Sequence, residues 1–79
     1  MIDDLKRAID RWRQADTEAR SAEHLLTQAY DGVFANRGAA VSAELIDQVA
    51  RMRAISNEAL MEALALMKVE RADFFTKKR

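Results

Sequence analysis

The chain has 79 residues, with 13 Lys plus Arg against 13 Asp plus Glu, so its formal net charge is zero. It contains no Cys, no Pro and only two Gly, while 49% of its residues are hydrophobic and 33% are charged. These figures exclude a disulfide framework, a Cys-ligated zinc site and thiol catalysis, and they leave no overall field to attract nucleic acid or an anionic membrane.

One domain, residues 1–79, is expected, and a domain this small needs a staple or a partner to be stable. The first predicted element is a helix over residues 2–31. Ile2, Leu5, Ile9 and Trp12, then Ala15, Ala19, Ala22, Leu26, Ala29 and Val33, recur at spacings of three and four, which is a helical period. Asp3 and Asp4 suit the positive end of the helix dipole. Asp3 with Arg7, and Asp16 with Arg20, are spaced for i, i+4 pairs contributing ~0.2–0.5 kcal/mol each. Gly32 is the expected stop, because glycine alone enters the left-handed C′ conformation without penalty.

A loop over residues 32–41 follows, with Gly32 and Gly38 near its ends. Val33 and Phe34 fall inside it. They are expected to fold back and plug the end of a bundle, the alternative being a partner-docking tip.

The second helix is predicted over 42–75, followed by a basic tail at 76–79. Ser42 can cap it, and Glu44 suits its dipole. Leu45, Val49, Met52, Ile55, Ala59, Ala63, Leu66 and Phe74 carry the repeat, and Asp47–Arg51 and Asp73–Lys77 are spaced to pair. On a helical wheel the apolar arc runs from Ile55 and Leu66 to Ile46, Leu64 and Phe75. That is about half the circumference, against the ~100° stripe of an ordinary surface helix.

The first helix has a narrow, alanine-rich stripe, and it cannot cover such an arc alone. Leu60, Leu64 or Met67 would stay wet. The expected fold is therefore all-α: a two-helix antiparallel hairpin that dimerises into a four-helix bundle. Trp12, Leu26, Val49, Met52, Leu60, Leu64 and Met67 are its expected interface. Ala15, Ala19, Ala22, Ala59 and Ala63 allow close helix approach. No internal repeat or low-complexity tract is evident.

Chemistry-bearing patterns are sparse. His24 falls on the solvent side with Lys6, Arg13 and Arg20. An exposed histidine in a dimeric hairpin resembles the dimerisation domains of sensor kinases. Those continue with an acid, a base, Thr and Pro, whereas His24-Leu25-Leu26-Thr27-Gln28 lacks the acid, the base and the proline, so a solvated histidine is expected. Lys6, Arg13 and Arg20 form a line at i, i+7 that is similar to the RNA-facing surface of small plasmid copy-number regulators. Asp10, Thr17 and Asp31 border it, which favours a solvated charged face. Leu5-Lys6-Arg7-Ala8-Ile9-Asp10 resembles the Leu-Arg-x-x-Ile-Asp opening of helical chorismate mutases, but Lys6 replaces the Arg and the chain is too short for a third helix.

There is no Ser-His-Asp set, no phosphate-binding glycine loop and no His-x-x-x-His pair. Glu58 and Glu62 share a face without a nearby histidine, so they are expected to be solvated rather than metal-binding. No catalytic, cofactor or metal residue is expected, and the chain is not read as an enzyme.

The most apolar run, 59–69, is broken by Glu62 and Lys68 and is far shorter than the ~20 residues of a membrane span. The opening Met-Ile-Asp-Asp-Leu-Lys is acidic where a signal peptide is basic. A cytoplasmic protein without a membrane contact is expected.

Trp12, Met52, Met61 and Met67 supply adaptable apolar surface. The leading expectation is a small non-enzymatic protein–protein interaction module: an assembly factor, co-chaperone or regulatory adaptor. Its size and layout are similar to the helical-hairpin co-chaperones of bacterial secretion systems. Its partners are itself, as a homodimer, and another protein docking at Phe34, Met61 and Leu64. The alternative is an RNA-binding hairpin dimer using Lys6, Arg13 and Arg20.

Overall fold

The computed structural model describes residues 2–35 and 40–77, with side chains described through residue 72. Gly38, the Asp73–Lys77 pair, the Phe74 and Phe75 rings, and Lys78 and Arg79 of the tail lie outside these limits. Two helices, α1 (Ile2–Phe34, 33 residues) and α2 (Ala43–Lys77, 35 residues), pair as an antiparallel hairpin, and no strand occurs among the described residues.

The start of α2 follows its expected cap. The Leu45 amide donates to Ser42 Oγ at 3.1 Å, and the Ile46 amide donates to the Ser42 carbonyl at 3.3 Å. The end of α1 departs from expectation. The helix continues through Gly32 to Phe34, and the Ala35 amide still donates to the Asp31 carbonyl at 3.1 Å. Tyr30 and Phe34, one turn apart, pack ring against ring with centroids 5.9 Å apart and planes tilted by 34°. This contact favours another helical turn over a left-handed stop. Phe34 is 78% exposed, so it does not plug the bundle end; Val33 is half-buried.

Surface pairing also differs in detail. Arg7 Nη2 pairs with Asp4 at 2.9 Å, while its Nε donates only to the Asp3 carbonyl. No ion pair joins Asp47 to Arg51.

A heptad register, overlooked in a simple period count, organises the seam. α1 presents Leu5, Trp12, Ala19, Leu26 and Val33, alternating with Ala8, Ala15, Ala22 and Ala29. α2 presents Val49, Ser56, Ala63 and Glu70, alternating with Leu45, Met52, Ala59 and Leu66. All of these are buried or half-buried, as knobs-into-holes packing of two helices requires.

The fully closed positions are small: Ala8, Ala19, Ala63 and Ser56. Ser56 is the largest side chain that is fully buried. The hairpin thus closes on methyl groups and one hydroxyl, and its large apolar side chains remain partly in water. The molecule is a rod of 65 × 18 × 14 Å with a radius of gyration of 18.4 Å, against about 12 Å for a compact domain of this length.

Candidate interaction surface

The seam has two unlike edges. On one, the flanking positions Ile9, Asp16 and Glu23 of α1 and Arg53, Leu60 and Met67 of α2 are half-buried. On the other, Asp4, Arg11, Glu18 and Leu25 of α1 and Gln48, Ile55, Glu62 and Val69 of α2 are all exposed. We call the first the broad face and the second the narrow face.

The narrow face is mostly polar. Arg11 Nη2 reaches Glu62 Oε1 at 3.1 Å, so Glu62 is tied across the helices rather than freely solvated as expected. Leu25, Ile55 and Val69 stand among these charges as scattered apolar residues.

The broad face has three zones. At the open end of the hairpin lie Ile2 and Ile9 of α1 and Leu60, Met61, Leu64 and Met67 of α2. Met61 is 65% and Leu64 40% exposed. At the loop end lie Tyr30, Phe34 and Ile46, all exposed.

Between them sits a charged cluster. Arg53 binds Glu23 through two bonds, Nε to Oε2 at 2.8 Å and Nη2 to Oε1 at 2.7 Å, and its Nη1 donates to Asp16 Oδ1 at 3.0 Å. The other Asp16 oxygen accepts from Arg20 Nε at 2.9 Å. This fork-to-fork geometry is the strong form of an ion pair. Hydrogen bonding from Arg53 holds the Glu23 carboxyl below its ordinary pKa, against the opposing effect of partial desolvation. The bonds to Glu23 and Asp16 in turn raise Arg53.

The structure divides the expected interface residues. Val49 is buried within the hairpin seam, and Trp12, Leu26 and Met52 are half-buried along the same seam, whereas Leu60, Leu64 and Met67 lie on the broad face. Of the expected partner residues, Met61 and Leu64 line one shallow groove with Met67 and Lys68. Phe34 stands apart from that groove, at the loop end of the rod. Lys6, Arg13 and Arg20 are exposed, but Arg20 is tied to Asp16, while Lys6 and Arg13 line a second groove with Ile2, Leu5, Ile9 and Asp10. His24 is exposed. Among the described residues no cluster of three or more His, Asp or Glu could hold a metal ion, and no helix is long and apolar enough to cross a membrane.

Arg53 is the residue that periodicity missed. Its signal was available: a cation inside an apolar arc, opposite two acids seven residues apart.

No protein-family model matches the chain, and no curated protein or solved structure matches it.

Proposed function

We propose that the chain is a small non-enzymatic protein–protein interaction module that self-associates, two hairpins forming a four-helix bundle. An assembly factor, co-chaperone or regulatory adaptor works in this way. The broad face carries the reading. Its half-buried Leu60 and Met67 and its exposed Leu64, Met61 and Phe34 form a surface too apolar and too extended for scattered surface residues. The area agrees. A compact monomer of 9.0 kDa exposes about 4,800 Å², and this chain exposes 6350 Å².

Sedimentation equilibrium at micromolar concentration tests the reading. The expected mass is twice that of the chain. Leu60→Ala with Leu64→Ala should weaken association, whereas Ile55→Ala on the narrow face should not. A stable, cooperative monomer refutes self-association.

The RNA reading is the weaker one, because Arg20 is engaged by Asp16 and zero net charge gives no general attraction to phosphate. RNA affinity that falls steeply with salt and vanishes on joint substitution of Lys6, Arg13 and Arg20 by Ala would reverse the order.

A further inference from the structure

We propose that a second copy of this chain covers the broad face in antiparallel orientation, with the two-fold axis passing beside Arg53. This rests on the self-association proposed above and adds the face, the orientation and the groups that set it.

The chain exposes roughly 1,500 Å² more than a compact monomer of its mass, and a standard interface removes about 800 Å² from each partner. One second copy seated on the broad face removes about half of that surplus.

Ile46 lies seven residues before Arg53 and Leu60 seven after it, each about 10 Å along the helix. A two-fold axis through that point sets Ile46 of one copy against Leu60 of the other, twice over. On α1, Ile9 and Tyr30 flank the same point at nearly equal distances. The charged cluster itself holds two acids and two cations bonded to one another, so it meets its own image without an unpaired charge.

The rim charges then choose the orientation. Among the described residues the open end of the broad face carries four cations, Lys6, Arg13, Lys68 and Arg71, against two acids, Asp3 and Asp10. The loop end, outside the cluster, carries Asp31 and Asp47 and no cation among the described residues. Antiparallel copies bring each basic end onto an acidic end. Parallel copies would bring basic onto basic and acidic onto acidic. Complementary rims of this kind fix register and suppress the wrong pairing.

A charge swap tests this. The pair Lys6→Glu with Arg13→Glu, and separately the pair Asp31→Lys with Asp47→Lys, should each raise the dimer Kd at least tenfold at low salt. An equimolar mixture of the two should recover a heterodimer within about threefold of the native Kd, because both ends are again matched. Recovery also shows that both variants fold. Since the chain has no Cys, a single spin label at Ala65→Cys reads the orientation independently. Antiparallel copies place the two labels more than about 30 Å apart, and parallel copies place them well within that.

A short label distance, or rescue of the Lys6, Arg13 variant by native protein rather than by the Asp31, Asp47 variant, overturns the antiparallel arrangement. So does a dimer indifferent to both swaps, which leaves self-association standing. A monomer under all conditions overturns both.

Discussion

Ser56 offers the sharpest test of the seam. It is 1% exposed, and its hydroxyl has no hydrogen-bond partner among the described residues. Burying a hydroxyl without a partner costs about 1–3 kcal/mol on mutational scales. Alanine is also the better helix former, by about 0.5 kcal/mol. Ser56→Ala should therefore stabilise the protein by about 1.5–3.5 kcal/mol, the reverse of the usual effect of a core substitution. Ser21→Ala, on the exposed side of α1, isolates the propensity contribution and should gain only about 0.5 kcal/mol. At about 4–8 °C per kcal/mol for a domain of this size, Ser56→Ala should melt at least 4 °C above Ser21→Ala. Thermal melts followed by circular dichroism decide it, at one fixed chain concentration because association raises the midpoint. Equal midpoints, or a lower one for Ser56→Ala, would show that the hydroxyl is satisfied or that the seam is open at that layer.

Ala19→Leu puts three extra carbons into a closed position and should cost about 1–3 kcal/mol in urea unfolding, whereas Ala65→Leu on the exposed side should stay within about 0.5. Gly32→Ala should stabilise by about 0.5–1 kcal/mol, since Gly32 is helical; a loss of stability would restore the left-handed stop. The Glu23 pKa is lowered in the folded state. Its contribution is therefore full above the ordinary value of 4.5 and is lost as pH falls through the folded pKa. Urea titrations from pH 7 to pH 3 should show Glu23→Gln with a flatter acid limb than the native chain.

Both helices were legible because apolar residues recur at three and four over more than thirty positions, and the Ser42 cap was legible because its chemistry is local. The end of α1 was misread because Gly32 is a stop only where the helix has nothing to gain by continuing, and the Tyr30–Phe34 contact gives it something. Counting apolar residues passed over Ala8 and Ser56, the first for being small and the second for being polar. In a seam that closes on methyl groups, smallness admits a residue and polarity is secondary. Arg53 stood out as a cation inside an apolar arc, but its role was passed over for another reason. Its partners lie on the other helix, so the pairing exists only once the register does. Leu60, Leu64 and Met67 were marked as uncovered by a narrow neighbour, but the division of the chain into two unlike faces required the charges as well.

The alanines at 8, 15, 22 and 29 give α1 a wall that repeats every heptad. Against such a wall, α2 could slide by seven residues, about 10 Å, and meet nearly the same contour. The charges act as the pawl. One step either way leaves Arg53 with one facing acid in place of two, Asp16 or Glu23, and the same step turns Glu62 from Arg11 towards Asp4 or Glu18. The alanine contacts are indifferent to the step, so the register rests on the unequal Leu5, Trp12, Ala19 and Leu26 layers and on these pairs, which ionic strength weakens because they are partly exposed.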